Sequence, residues 1–220
     1  MDPIKVIEET AVIVIVRGVA REKLTPLAQA LYDGGICAVE CTFNACGDPA
    51  DEEIAAGIHD LAVRFGDRML IGAGTVLTEK QVVLTKEAGG TFIISPDTNP
   101  AVIRATKDAG LVSVPGALTP TEIALAARTG ADFIKIFPVG TMGSAYVRNV
   151  RAPLSHCRLL AVGGVNEANM KEFFDAGAVG IGIGSGIIDK KAIAANDFAS
   201  VTAQAKRYIA CAAACRKNAP

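Results

Sequence analysis

The chain has 220 residues, of which half are hydrophobic and a fifth are charged, with 22 basic and 23 acidic side chains. This composition excludes a disordered or low-complexity protein, and a chain of this length can bury a full core. A formal charge of −1 without a clustered basic excess argues against a partner made of nucleic acid.

The beginning of the chain favours a cytoplasmic protein without a membrane partner. MDPIKVIEET lacks the basic start and apolar block of a signal peptide, and no later apolar run approaches the roughly 18 residues that cross a bilayer. The six cysteines should therefore stay reduced. They include no CxxC pair, and the two histidines stand apart, so no metal site is expected.

Short apolar runs recur along the whole chain, and amphipathic segments lie between them. We predict strands in the runs at 11–17, 37–43, 69–74, 91–95, 111–116, 132–137, 158–164 and 178–186. Several intervening segments end in Gly-Gly, Ala-Gly or Thr-Gly, which is typical of a helix that stops at a residue with positive φ. Near-continuous apolar strands that alternate with helices indicate a parallel sheet covered by helices.

Eight such βα units predict an α/β fold of the (β/α)8 TIM-barrel type. An open doubly wound sheet is the main alternative, but it usually has about five or six strands. No Pro/Ser-rich linker or charge break divides the sequence, so we expect one domain over residues 1–220. Two further segments, DPIKVIEET near the N-terminus and DFASVTAQAKRYIACAAACRK near the C-terminus, predict additional helices.

Polar and turn-forming residues interrupt the apolar runs where a barrel carries its chemistry, at the carboxyl ends of the strands. Two charged residues, Glu40 and Lys135, stand inside predicted strands. Other candidates stand at strand ends or directly after them, namely Arg17, Thr75, Ser95, Pro96, Gly163, Gly164, Gly184 and Ser185. In a closed barrel all of these positions meet at one mouth.

Lys135 is the most unusual of these residues, because its neighbours within 133–137 are all apolar. Partial desolvation lowers the pKa of a lysine and provides a neutral amine near neutral pH. Such an amine can attack a ketone and form a Schiff base. The alternative is a lysine at a strand end whose ammonium reaches water, and position alone does not choose between the two.

Glu40 is the second unusual residue, since a carboxyl in a buried parallel strand should have a raised pKa that suits proton transfer. The alternative is a structural ion pair with Arg17 or Lys135. On one inner face, an amine nucleophile and a carboxyl acid/base form a complete set for aldol chemistry.

Gly163-Gly164 and Gly184-Ser185 stand at the ends of the last two predicted strands. In many barrels these two loops bind phosphate through backbone N–H groups and a helix N-terminus. Glycines also occur where helices and strands pack closely, so one pair alone is weak evidence. Two pairs in adjacent units favour a phosphate site.

The sequence motifs together resemble one family, the class I 2-keto-3-deoxy-6-phosphogluconate (KDPG) aldolases, also described as 4-hydroxy-2-oxoglutarate (KHG) aldolases. The resemblance covers about residues 5–190 and rests on IVRG, GGICAVECTFN, IGAGTVLT, ISPDTNP, SVPGALTPTE, FIKIFP, VGGVNEANM and GIGSGII. It implies that Lys135 is the Schiff-base lysine and Glu40 the general acid/base.

The same resemblance implies further roles. The implied substrate contacts are Arg17, Thr75, Ser95, Pro96 and Phe137, and the implied phosphate site is Gly163, Gly164, Gly184 and Ser185. It also implies a cytoplasmic homotrimer that acts on a small 2-keto acid or sugar-acid phosphate and uses no cofactor.

The chain departs from the gluconate pattern at two positions that bear on the substrate. Many gluconate-type members have Arg at the position of Asn44 and Thr at the position of Val162. Both departures resemble the related 2-keto-3-deoxy-6-phosphogalactonate aldolases, whereas TMGSAYVRNVRAPL resembles the gluconate/hydroxyglutarate branch. Arg17 is the residue that can take over the substrate carboxylate from the missing arginine.

The leading hypothesis is therefore a Schiff-base aldolase that releases pyruvate and an aldehyde, either glyceraldehyde 3-phosphate or glyoxylate. A galactonate-type aldolase is the alternative within the same chemistry. A metal-free isomerase or epimerase on another sugar phosphate is an alternative enzyme. A non-catalytic barrel that binds a phospho-ligand is the alternative from another class.

Overall fold

The computed structural model describes residues 1–217, in which parallel strands alternate with helices. The strands are β1 (Val12–Val16), β2 (Ala38–Thr42), β3 (Leu70–Gly74), β4 (Phe92–Ile94), β5 (Val112–Val114), β6 (Gly116–Ala117), β7 (Ile134–Ile136), β8 (Leu159–Val162) and β9 (Gly180–Ile183). The helices are α1 (Pro3–Thr10), α2 (Arg21–Asp33), α3 (Asp51–Phe65), α4 (Glu79–Glu87), α5 (Pro100–Asp108), α6 (Pro120–Thr129), α7 (Gly143–Arg151), α8 (Met170–Asp175), α9 (Lys190–Ala194) and α10 (Phe198–Lys217).

The nine strand segments form one parallel sheet in the order β5-β4-β3-β2-β1-β9-β8-β7-β6. Its two ends, β5 and β6, are consecutive in the chain and are separated only by Pro115. The carbonyl groups of Ser113, Pro115 and Ala117 accept hydrogen bonds from the N–H groups of the strand β7 region at 133–137. Residues 112–117 therefore join the two ends of the sheet into a TIM-like barrel.

The predicted barrel is thus confirmed, and each predicted apolar run contains a strand. One detail differs, because the run at 111–116 forms two segments rather than one continuous strand. Proline has no N–H group, so Pro115 cannot continue the regular hydrogen-bond ladder.

The interior of the barrel is filled by one cluster of buried apolar side chains, which includes Ile13, Leu70, Phe92 and Leu160. Ile7 of α1 belongs to the same cluster and is 1% exposed. Because α1 ends at Thr10, just before β1 begins at Val12, this helix closes the barrel at the amino ends of the strands. The predicted N-terminal helix is present and has this packing role.

A larger apolar layer lies between the strands and the surrounding helices, and α10 packs on the outside against α2 and α8.

Capping residues and glycines determine where the helices begin and end. Thr78 and Thr119 begin α4 and α6 with reciprocal capping boxes. The predicted glycine stops are also confirmed, since the glycines that follow α2, α4, α5, α6 and α8 have positive φ. Within residues 1–217, no helix combines the length and the apolar character that a bilayer span requires.

Candidate active site

A cavity of about 650 Å³ opens at the carboxyl ends of the strands. Its lining includes most of the candidates, namely Arg17, Glu40, Thr75, Pro96, Lys135, Phe137, Gly163, Gly164, Gly184 and Ser185. The structure therefore brings together residues from nearly every βα unit, as expected for a barrel mouth. Ser95 is the exception, because it is buried and its hydroxyl donates to the carbonyl oxygen of Val76 at 2.7 Å.

Lys135 is the central residue of β7 and lies on the barrel side of that strand. Its side chain is only 7% exposed, and its Nζ lies 4.6 Å from the centre of the Phe137 ring. Burial lowers the pKa of Lys135 from its ordinary value, the carboxyl of Glu40 opposes this change, and Arg17 adds to it. The expected desolvation of Lys135 is confirmed, and its environment favours a neutral amine.

Glu40 stands in the middle of β2, between β1 and β3, and is 2% exposed. Burial raises the pKa of its carboxyl to about 7, although Lys135 and Arg17 both act to lower it. Within the described residues, its Oε2 has no hydrogen-bond partner, and no ion pair involves Glu40. This geometry does not fit the structural ion pair and leaves a carboxyl that can exchange a proton near neutral pH.

Gly74, at the end of β3, provides the space that the Glu40 carboxyl occupies. A Cβ atom at position 74 would lie 2.5 Å from Cδ and 2.7 Å from Oε2 of Glu40. Any residue with a side chain here would displace the carboxyl, because both groups stand on strands that the sheet holds in register.

Arg17 and Thr75 meet across the mouth, where the Arg17 Nη2 donates to the Thr75 hydroxyl at 2.8 Å. Thr75 has a φ of 55°, a left-handed conformation that is uncommon for a β-branched residue. Arg17 also lines a neighbouring cavity of about 410 Å³, which contains Asn44. The Asn44 side chain donates to the carbonyl oxygen of Asp48, so it is engaged within its own loop and outside the Lys135 cavity.

The glycine-rich loops after β8 and β9 form the wall of the mouth next to β1. Gly163 and Gly164 have φ values of 87° and 86°, and both are packed so closely that a Cβ would lie about 3 Å from neighbouring atoms. After β9, the N–H groups of Ile187 and Ile188 donate to the Gly184 carbonyl and form a single turn. The N–H groups at 185 and 186 donate to no other group in residues 1–217, so they are available to an anion.

Several residues of this mouth were not among the sequence candidates. They include Gly74, Val165, Asn166, Gly182 and Gly186. The alternation of glycines in GIGIG at 180–184 is a signal that could have identified Gly182, because glycines two apart lie on one face of a strand. The described residues contain no cluster of three or more side chains suited to hold a metal ion.

The raised pKa of Glu40 makes the stability of the protein depend on pH. Between pH 4.5, where the carboxyl ionises when unfolded, and about 7, where it ionises when folded, the unfolded state binds fewer protons. The stability that the protonated Glu40 gives is complete below this window and is lost as the pH rises through it. Glu40→Gln does not titrate, so its unfolding free energy should rise by about 3 kcal/mol relative to wild type across the window. Urea denaturation at several pH values measures this difference, and parallel pH curves for the two proteins would contradict the raised pKa.

Comparison with known proteins supplies the class of the protein. The family model described as "Aldolase: KDPG and KHG aldolase" matches residues 4–204. The barrel, its cavity and this match define the protein as an aldolase, a carbon–carbon lyase. The chain belongs to the KDPG and KHG aldolase family.

The names of similar proteins refer to more than one substrate. The probable 2-dehydro-3-deoxy-6-phosphogalactonate aldolase of Rhizobium meliloti is 36% identical over 180 residues, which are 81% of this chain and 82% of the relative. The 2-dehydro-3-deoxy-phosphogluconate aldolase of Treponema pallidum is 34% identical over 204 residues, 92% of this chain and 94% of the relative.

Solved structures agree with the fold. A structure described as native KDPGal has a TM-score of 0.85 and 31% identity, with coverage of 94% of this chain and 96% of that one. The KDPG aldolase of Legionella pneumophila, with pyruvate captured as a covalent carbinolamine intermediate, has a TM-score of 0.83 and 26% identity. That match covers 94% of this chain and 97% of the Legionella chain.

Proposed function

We propose that the protein is a class I aldolase that cleaves a 2-keto-3-deoxy-6-phospho sugar acid, or 4-hydroxy-2-oxoglutarate, through a Schiff base on Lys135. One observation carries the proposal: Lys135 and Glu40 are both buried in one cavity, and burial moves both pKa values toward neutrality. The lowered pKa of Lys135 increases the share of neutral amine, and the Glu40 carboxyl, with a pKa of about 7, can supply a proton, as amine addition to a ketone requires.

The reaction begins when the Lys135 amine adds to the C2 ketone and forms a carbinolamine. Glu40 donates a proton to the departing hydroxyl, so that water leaves and an iminium forms. The bond between C3 and C4 then breaks, its electron pair moves into the iminium, and the Glu40 carboxylate takes the proton of the C4 hydroxyl as the aldehyde forms. Glu40 then gives a proton to C3 of the enamine that remains, and water releases pyruvate and the free amine.

Arg17 and the two glycine loops orient the substrate in this proposal. The Arg17 guanidinium is held at the mouth by Thr75 and is suited to a carboxylate. The free N–H groups after β9 and the Ser185 hydroxyl are suited to the terminal phosphate. Thr75, Pro96 and Phe137 enclose the pyruvyl part, whereas buried Ser95 supports the loop through its bond to Val76.

The galactonate acid is the second candidate substrate, and a specific observation favours it. Val162 lines the cavity, so this departure from the gluconate pattern changes the lining of the site, whereas Asn44 lines the neighbouring cavity. Two relatives named phosphogalactonate aldolases are 36% and 37% identical to the chain. Pyruvate release from the gluconate, galactonate and hydroxyglutarate substrates, assayed side by side, decides among them.

Borohydride trapping tests the proposed chemistry directly. Incubation with pyruvate and borohydride should add one reduced pyruvyl group to Lys135, located by peptide mass spectrometry. An isomerase, or a barrel that only binds a phospho-ligand, forms no such adduct. A label on another lysine, or no label, would overturn the assignment.

The proposed phosphate site predicts a selective loss in the variant Ser185→Ala. One lost hydrogen bond to a charged group should reduce kcat/KM for the phosphorylated substrate by about 10- to 150-fold. Cleavage of 4-hydroxy-2-oxoglutarate, which carries no phosphate, should change much less. An equal loss on both substrates would mean that Ser185 supports the loop and that the phosphate binds elsewhere.

The proposal also includes the cellular location and the assembly state of the enzyme. The resemblance implies a cytoplasmic homotrimer, and both its location and its assembly remain predictions. Light scattering on the purified protein measures the assembly state.

A further inference from the structure

Tyr208 of α10 stands directly behind the loop that follows β9. Its side chain is 2% exposed, and a Cβ atom at Gly186 would lie 2.9 Å from the Tyr208 Cζ and closer still to Oη. The lack of a side chain at position 186 therefore lets the tyrosine hydroxyl rest against the backbone of this loop.

The same hydroxyl faces the loop that follows β8. The backbone N–H of Glu167 opposes the rise in the Tyr208 pKa that burial causes. Two neighbours of Tyr208 on α10 contact the same residue: the Arg207 Nε lies 3.6 Å from a Glu167 carboxylate oxygen, and the Cys211 thiol donates to the Glu167 carbonyl at 3.7 Å.

Hydrogen bonds within the β8 loop connect its outer part, near Tyr208, to the residues that line the cavity. The Asn169 Nδ2 donates to the Gly164 carbonyl at 2.9 Å, and its Oδ1 accepts from the Asn166 N–H at 2.8 Å. Gly164, Asn166 and Gly186 all line the Lys135 cavity, whereas Tyr208 does not. Tyr208 thus touches both loops from behind, away from the space that a substrate would fill.

We infer that Tyr208 is a positioning residue that fixes the spacing between the β8 and β9 loops and thereby sets the affinity of the enzyme for the phosphate group of its substrate. The inference rests on the proposed function, in which the glycine loops after β8 and β9 orient the substrate and N–H groups after β9 bind its phosphate. Backbone donors are directional, so an anion shared by two loops is bound well only when their separation is fixed beforehand. A hydroxyl buried between the loops provides this preorganisation without touching the ligand.

The variant Tyr208→Phe tests the inference, because it keeps the buried ring and removes only the hydroxyl. Tyr146→Phe is the matched control, since the Tyr146 hydroxyl also contacts a loop backbone, at the Leu118 carbonyl, outside the proposed phosphate site. For both variants we would measure kcat and KM on the phosphorylated and unphosphorylated substrates. Competitive inhibition by inorganic phosphate and borohydride labelling with pyruvate complete the comparison.

Tyr208→Phe should raise KM for the phosphorylated substrate by about 3- to 10-fold, which is the size of one neutral hydrogen bond, and weaken inhibition by phosphate equally. The kcat, the KM for 4-hydroxy-2-oxoglutarate and the labelling of Lys135 should stay within about twofold. Tyr146→Phe should not change the preference for phosphorylated substrate. Unchanged phosphate inhibition in Tyr208→Phe, or equal KM changes on both substrates, would overturn the inference.

A double-mutant cycle gives a second test that does not depend on one variant. Gly186→Ala should weaken phosphate inhibition more in the wild-type background than in Tyr208→Phe, because the added methyl group meets the hydroxyl first. Strict additivity would count against the contact. If wild type itself showed no phosphate inhibition, the phosphate site and this inference would both fall, whereas borohydride labelling would still test the Schiff base separately.

Discussion

Lys135→Ala should abolish cleavage of every substrate and all borohydride labelling with pyruvate. Without the amine no iminium forms, so the electron pair of the C3–C4 bond has no acceptor, and a loss of at least about 10⁴-fold in kcat is expected. Lys135→Arg should be equally inactive, since a guanidinium keeps the positive charge but remains protonated and does not form the imine. The arginine variant separates loss of the nucleophile from loss of charge.

The matched control for this experiment is Lys80→Ala, which removes an exposed lysine that pairs with Glu52 on the outer helices. It should retain wild-type turnover and full labelling of Lys135. Circular dichroism of all three variants verifies that the barrel is folded. Residual cleavage above about 1% of wild type in a folded Lys135→Ala protein would exclude the Schiff-base route.

Glu40→Gln should lower kcat by roughly 10²–10⁴-fold, because the amide keeps the size of the side chain but cannot transfer a proton. Its effect on phosphate inhibition should be small, since the carboxyl stands on β2 and the glycine loops follow β8 and β9. The limb of the pH–rate profile near pH 7, where Glu40 titrates, should disappear in the variant. Steady-state kinetics from about pH 5 to 9 measures all three effects.

Glu79→Gln is the control for this variant, because Glu79 is an exposed acidic residue at the start of α4. It should leave both the rate and the pH profile unchanged. A Glu40→Gln enzyme with near-normal kcat would return Glu40 to a structural role. A low kcat with an unchanged pH limb would assign that limb to another group.

The barrel was predictable because a strand buried on both faces must be apolar along its length, and the apolar runs could be counted. Glu40 and Lys135 could be singled out as site candidates for the same reason. Burying a charged group in such a run costs free energy, so a charged residue there is unusual and indicates a functional role. The sequence also placed the glycine pairs correctly, because parallel strands all end at one edge of the barrel.

Other features depend on side-chain direction and on contacts between distant parts of the chain, which a single sequence does not specify. Ser95 was expected at the substrate, but its hydroxyl satisfies the buried Val76 carbonyl instead of facing the cavity. Asn44 follows β2, yet a hydrogen bond from its side chain to the Asp48 carbonyl holds it beside the neighbouring cavity of about 410 Å³. The contact between Tyr208 and Gly186 joins a terminal helix to a loop, and neither segment carries a periodic signal for it.

The position of α1 has a consequence for the exchange of hydrogen isotopes. Since α1 and the apolar interior close one end of the barrel, Lys135 and Glu40 reach bulk water through the mouth in the part of the chain that the structure describes. A ligand that fills the mouth isolates these two groups together with the few exchangeable hydrogens they hold. If they act as proposed, the hydrogen that reaches the enamine carbon comes from this enclosed set. In deuterated water, the isotope content of the methyl group of pyruvate would then record how completely the set had exchanged before the substrate closed the entrance.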